Sequence, residues 1–278
     1  MSGQTLTLLS PAKLNLFLHI LGRRDDGYHE LQSLFQLLDY GDVLEINPED
    51  SELLSLHITA ESPIKSISMD DNLILKAAQL LRKASGKPNL GASISITKRI
   101  PIGAGLGGGS SNAAITLRGL NQVWQCGLSD IELAKLGLQL GADVPVFIQG
   151  KSAWAEGVGE RLVPIEIEPY WYLVITPDCP VSTARIFSQE NLTRNSPAIK
   201  MADFLAGRAR NDCEKVTRNL YPEVDQVLNW LSQFGEARMT GTGSAVFAKY
   251  ESEAPAREVF ANCPSGLKGF IAKGINSH

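Results

Sequence analysis

The 278-residue chain is poor in the residues that staple small folds or hold metals. Its four cysteines, Cys126, Cys179, Cys213 and Cys263, are scattered, with no C-x-x-C, and its four histidines include no H-E-x-x-H. Neither a disulfide framework nor a zinc site is expected, and a reducing, cytoplasmic compartment fits. No stretch approaches the ~18 uninterrupted apolar residues of a membrane span. The start, "MSGQTLTLLSPAKLN", lacks the basic segment and long apolar run of a signal peptide. Positive charge is not in excess: 26 Lys and Arg face 30 Asp and Glu, a net charge of −4, which argues against a general nucleic-acid surface. Repeats and low-complexity tracts are absent too. With 44% apolar and 20% charged residues, the composition is that of a globular chain of one large or two ordinary domains.

Periodicity predicts a mixed α+β chain. "LTLLSPAKLNLFLHIL" reads as two short strands broken near Pro11, and "LQSLFQLLDYG" as either helix or strand. "DVLEINPEDSELLSLHITA" reads as two strands around a turn. "DDNLILKAAQLLRKASG" predicts a helix opened by Asp and Asn and closed by Gly86. "GASISITKRI" alternates as a half-exposed strand does. Ser110 or Ser111 is a natural N-cap for a helix whose buried face is Ala113, Leu117, Leu120 and Trp124. "SDIE" from Ser129 predicts a capping box on a helix ending near Gly141, and "VPVFIQG" a strand after it. A loose domain boundary is placed near residue 160. Beyond it, strands ("YWYLVITP", "AVFAKY", "GFIAKG") mix with helices around 211–234 and 253–262.

One stretch resists explanation by packing. "PIGAGLGGGSSNAA" puts five glycines into positions 103–109, each raising the entropy cost of ordering the chain. Gly103, Gly105 and Gly108 spell G-x-G-x-x-G, the dinucleotide fingerprint. That fold needs a continuous apolar strand before the loop and an acid-ended strand after the helix. Here "ASISITK" alternates, and the helix runs into another helix. A P-loop is excluded because no lysine follows the glycines. A flexible turn accounts for one or two glycines, hardly five. The remaining reading is a lysine-free phosphate cradle, with backbone N–H groups and a helix N-terminus facing an anion.

Other residues carry two readings each. Lys13 and Asn15 of "SPAKLN" share one side of a strand, as surface residues or as a site. Asp143 of "LGADVPVF" sits in a short loop set by Pro145, either as a turn aspartate bonding its own backbone or as a general base. Tyr28 and His29 of "DDGYHEL" either cover the core and meet solvent or receive a flat ring. Asn72 suits a helix cap as well as a ligand contact, and "TGTGSAVFA" is a hairpin turn that could also close over phosphates.

Taken with "SPAKLNLFLHILGRRDDGYHEL", "LGADVPVF", "VSTARIF", "NDCE" and "TGTGSAVFA", in that order around the loop, the chain resembles the GHMP kinases. These are the galactokinase, homoserine, mevalonate and phosphomevalonate kinases. The G-G-G-S-S-N-A-A form is similar to the branch acting on 4-diphosphocytidyl-2-C-methyl-D-erythritol in non-mevalonate isoprenoid biosynthesis. The resemblance implies a two-domain α+β fold. Residues 1–160 would form an ATP-binding domain and 161–278 a ferredoxin-like C-terminal domain, with the active site between them. It implies ATP and Mg²⁺, a cytidine diphosphate methylerythritol substrate, and no nucleic-acid or membrane partner; oligomeric state stays open. Lys13 would lie at the reacting hydroxyl and Asp143 would be the catalytic base. ATP would meet Pro101, Gly103, Ala104, Gly105, Leu106, Gly107, Gly108, Gly109, Ser110 and Ser111, with Asn72, Leu73 and Lys98 on the adenosine side. Asn15, Tyr28, His29, Thr183 and Phe187 would bind substrate, Tyr28 and Phe187 stacking on the cytosine and His29 hydrogen-bonding it. Ser110 and Ser111 are the magnesium candidates, and the metal ligands stay open. Another GHMP kinase acting on homoserine or mevalonate is the alternative enzyme. A nicotinamide oxidoreductase and a non-catalytic nucleotide-binding module are the alternatives of other classes.

Overall fold

The computed structural model describes residues 5–69 and 72–278. In chain order the first elements are β1 (Leu6–Arg23), β2 (His29–Glu49), β3 (Leu54–Ile58), α1 (Leu73–Ala84), β4 (Gly91–Thr97) and α2 (Gly108–Val123). Then come α3 (Asp130–Leu138), α4 (Val144–Gln149), β5 (Ala153–Gly157), β6 (Arg161–Pro164), β7 (Trp171–Thr176), α5 (Thr183–Phe187) and α6 (Met201–Leu205). The chain closes with α7 (Glu214–Leu220), α8 (Pro222–Leu231), β8 (Ala237–Met239), β9 (Val246–Tyr250), α9 (Glu253–Ala261) and β10 (Lys268–Ile275). These form two compact units, neither continuous in sequence. The first takes residues up to 12, 40–100 and 107–150, and the second takes 13–39, 101–106 and 151–278.

In the first unit β4 is the central strand. It pairs antiparallel with β2 through Val43↔Thr97 to Glu49↔Gly91, and parallel with β3 through Leu54↔Ala92 to Ile58↔Ile96. The parallel pair is made possible by α1, which carries the chain back between β3 and β4. Asn72 caps α1, its Oδ1 accepting from Ile74 N at 3.0 Å, while the adjoining Asp70 and Asp71 of the expected cap lie outside the described residues. Helix α2 packs close to the strands because Gly119 has no side chain: a Cβ there would meet Ile46 Cδ1 at 2.5 Å. The capping box on α3 is present, with Ser129 and Glu132 each bonding the other's backbone N–H.

The second unit contains a split β-α-β motif. Strands β7, β8, β9 and β10 stand in the spatial order β10-β7-β9-β8, with α7 and α8 between β7 and β8 and α9 between β9 and β10. That is the ferredoxin-like arrangement the resemblance implies. Leu173, Ile175, Val216, Val224, Val227, Leu228, Leu231, Met239 and Val246 fill its core. The first half of β2 pairs with β5 through Leu31↔Gly157 to Phe35↔Ala153.

Three local expectations are corrected. "VPVFIQG" is helix α4 rather than a strand, with Pro145 in its first turn, where the missing N–H costs nothing. Val144 to Ile148 are all buried, and a short run buried on every side has no period to separate helix from strand. The break near Pro11 is absent, since β1 continues through it. Helix α2 begins three residues before Ser111, with Gly107 as its N-cap at φ 72° instead of either serine. The end of α3 falls near Gly141 as expected, the last turn closing past Leu138 with Gly141 N donating to Gly137 O at 3.1 Å.

Candidate active site

The glycine loop has a backbone in which every second residue is left-handed: Gly103 at φ 68°, Gly105 at 75° and Gly107 at 72°. Its carbonyls are consumed. Gly103 O accepts from Val181 N at 3.4 Å, Ala104 O from Ala245 N at 3.1 Å, and Leu106 O from Lys13 N at 3.0 Å. Gly105 O accepts from Lys13 Nζ at 3.1 Å and from Thr240 Oγ1 at 3.3 Å. By contrast, the N–H groups of Gly105, Leu106 and Gly107 donate to nothing among the described residues. A loop with bonded carbonyls and open amides, running into a helix N-terminus, is an anion nest. Glycine is required at 105, where a Cβ would sit 2.4 Å from Thr240 O.

In the second unit Lys13 and Asn15 share one side of β1 as expected. Lys13 is only 3% exposed; its Nζ donates to Asn15 Oδ1 at 2.5 Å and lies 5.3 Å from the Phe35 ring centroid. Asn15 Nδ2 donates to Ser33 Oγ at 2.8 Å, and Asn15 N to Thr240 Oγ1 at 2.9 Å. The 240–244 turn is held in turn by Asn211, whose Nδ2 donates to Met239 O and Gly241 O at 2.9 and 2.8 Å. Thr217 Oγ1 adds a bond to Thr242 O at 3.0 Å, and Thr183 Oγ1 lies 3.0 Å from Thr242 Oγ1. Among the base-binding candidates, the His29 and Phe187 rings lie together, centroids 4.9 Å apart and tilted 33°, while Tyr28 stands 62% exposed.

In the first unit Lys98 is engaged internally. Its ammonium lies 2.6 Å from Asp42 Oδ2 and donates to Ile100 O at 2.8 Å. Burial holds the Lys98 pKa below its usual value, and the Asp42 carboxylate opposes that fall. Asp42 Oδ1 also accepts from Arg99 N at 2.6 Å and Ile100 N at 2.8 Å, which shapes the entry to the loop. A Cβ on Gly108 would lie 3.1 Å from Lys98 Nζ, so this pair sits beneath the first turn of α2. Leu73 lies against Gly109, and Asn72 is occupied as the cap of α1. The two serines differ. Ser111 is fully buried, its Oγ accepting from Ser10 Oγ at 2.8 Å, whereas half-buried Ser110 has its Oγ 3.5 Å from where a Gly141 Cβ would be. Asp143, also half-buried, holds the N-cap position of α4 at φ −83°, ψ −9°.

Sequence reasoning missed Asp42, Ser10, Ser33 and Arg194. Asp42 carried one legible signal, its place two and four positions before Leu44 and Ile46 on the apolar face of "DVLEI", where a buried carboxylate must be paired. The others looked like ordinary polar residues until their partners were placed.

Comparison with known proteins gives the family and the fold. Residues 72–151 match the GHMP kinases N terminal domain, and residues 192–269 the GHMP kinases C terminal family. A 4-diphosphocytidyl-2-C-methyl-D-erythritol kinase of Marinobacter nauticus is 51% identical, covering 98% of this chain and 94% of its own. That of Pseudomonas fluorescens is 55% identical, covering 99% and 96%. The crystal structure of a 4-(cytidine 5'-diphospho)-2C-methyl-D-erythritol kinase superposes with a TM-score of 0.82 at 33% identity, over 97% of this chain and 99% of that one. A Methanococcus jannaschii mevalonate kinase shares the fold at 18% identity, with a TM-score of 0.69 over 99% of both chains. The chain belongs to the 4-diphosphocytidyl-2-C-methyl-D-erythritol kinase family of the GHMP kinases.

Proposed function

We propose that this chain transfers the γ-phosphoryl group of ATP to the 2-hydroxyl of 4-diphosphocytidyl-2-C-methyl-D-erythritol, a step of non-mevalonate isoprenoid biosynthesis. The observation that carries the phosphate half is the loop whose carbonyls are bonded and whose Gly105, Leu106 and Gly107 amides are not. Those amides, with the N-terminus of α2, bind the triphosphate without a P-loop lysine.

Phosphoryl transfer needs little covalent help from protein, so positioning and charge neutralisation dominate. Lys13, fixed by Asn15 Oδ1 and Gly105 O, holds a positive charge for the acceptor hydroxyl and its developing alkoxide. Asp143 takes the hydroxyl proton as the new P–O bond forms. Tyr28, His29 and Phe187 receive the cytosine, stacking being worth about 1–3 kcal/mol per base in nucleic-acid systems. Asn72, Leu73 and Lys98 border the adenosine side, Asn72 and Lys98 through the backbone they hold rather than through spare side-chain groups.

The donor set fits magnesium, which takes one or two protein oxygens and completes its shell with phosphates and water. Ser110, beside Gly141, would supply such an oxygen, whereas the Ser111 hydroxyl is bonded to Ser10. The ion would neutralise the charge on the phosphate oxygens.

The test is to mix the protein with Mg-ATP and the cytidyl substrate, follow ADP release, and locate the new phosphate by phosphorus NMR. Turnover with phosphate on the 2-hydroxyl supports the reading; turnover only with mevalonate or homoserine, or none, overturns it.

A further inference from the structure

Arg194 follows α5 and lies outside every motif singled out in the sequence. Its guanidinium meets four acceptors. Nη2 donates to Phe187 O and Gln189 O, both at 2.8 Å, Nη1 to Leu192 O at 3.2 Å, and Nε to His29 Nε2 at 3.2 Å. One cation thus holds the backbone at the end of α5, which presents Phe187, and the imidazole packed on that ring. A guanidinium in a protein has only donors and does not lose its proton. His29 Nε2 must therefore be the acceptor, and the ring proton must sit on Nδ1. That Nδ1–H makes no hydrogen bond among the described residues.

We infer that Arg194 is a positioning residue for the substrate base: it fixes His29 as a neutral Nδ1–H donor and locks it against Phe187, so that the pair presents one ring face and one donor to an acceptor atom of cytosine. This rests on the cytidine reading above. The alternative tautomer would offer an acceptor at Nδ1 and lose the Arg194 bond. The charged groups facing the imidazole are Arg194 and Arg23 of β1, both cations. Burial and these two charges hold the His29 pKa below 6.5, which keeps the ring neutral near neutral pH.

Two measurements on the full chain test this. In ligand-free wild type, the nitrogen shifts of ¹⁵N-labelled His29 should show a protonated Nδ1 and a bare Nε2; a protonated Nε2 at neutral pH overturns the inference. In steady-state kinetics, Arg194→Ala should raise KM for the cytidyl substrate about tenfold, the scale of one charge-assisted hydrogen bond, and leave kcat and the KM for ATP near wild type. The acid limb of kcat/KM should move to higher pH, because a cation opposing His29 protonation has gone. Arg194→Lys, which keeps the charge but not the fork, should recover the limb and only part of KM. In a His29→Asn background Arg194→Ala should add no further loss. Wild-type turnover with an unchanged KM in Arg194→Ala, or an equal loss in the His29→Asn background, overturns the inference alone. Absence of wild-type turnover overturns the cytidine reading, and the nitrogen shifts still decide the tautomer.

Discussion

Lys98 Nζ and Asp42 Oδ2 lie 2.6 Å apart with both side chains almost wholly buried, and this pair anchors the strand that enters the glycine loop. Removing one partner strands the other charge. Asp42→Ala should therefore cost about 3–5 kcal/mol in urea unfolding, and exchanging both residues for Leu and Met of similar volume should recover much of that loss. A single variant as stable as wild type would refute the anchoring role.

Gly105→Ala places a Cβ 2.4 Å from Thr240 O at a residue with φ 75°. Strain at such a position is worth about 1–3 kcal/mol, and the loop must move to relieve it. ATP titration should show affinity reduced by about tenfold or more. Unaltered ATP affinity would remove the loop from the phosphate site.

Asp143→Asn should lower turnover by about 10²-fold or more while the unfolding midpoint stays near wild type. Near-normal turnover would leave Asp143 as a positioning group only.

The adjoining serines should separate cleanly. Ser110→Ala should shift the magnesium dependence of turnover to higher concentration with little effect on stability. Ser111→Ala breaks a buried bond with Ser10 and should cost about 1 kcal/mol in unfolding, with magnesium dependence unchanged. The reverse pattern would assign the metal to Ser111.

His19 gives the fold an acid-sensitive point. Its Nε2 accepts from Arg210 N and its Nδ1 donates to Pro197 O, both at 3.3 Å. Burial, with Asp212 opposing, holds its pKa below 6.5. In the pH interval from that lowered value up to about 6.5, the unfolded chain binds the proton more readily than the folded one. Stability should fall as pH drops through this interval, and a His19→Asn variant should show a flatter urea midpoint between about pH 7.5 and 5.5. Equal slopes for variant and wild type would place the acid sensitivity elsewhere.

Features governed by a few neighbouring residues were legible beforehand. The Ser129–Glu132 capping box, the Asn72 cap and the shared face of Lys13 and Asn15 each depend on positions two or three apart. Strands β7, β9 and β10 and the helices of 211–234 and 253–262 stand where expected, the three-residue β8 was not foreseen, and the order β10-β7-β9-β8 is the ferredoxin-like one that the resemblance implied. The residues 144–148 went the other way, because a run buried on all sides has no periodicity to read.

By itself the sequence determined the family, the glycine loop and its unsuitability for a dinucleotide or P-loop reading, since motif order and missing residues are local facts. Tertiary structure alone decided that Ser111 faces Ser10 while Ser110 stays half-exposed, that Lys98 is spent on Asp42, and that Arg194 bonds His29. These partners lie 101, 56 and 165 positions apart. Charge and hydrogen-bond capacity belong to the residue, but what they are used for is set by which distant group folding brings within about 3 Å.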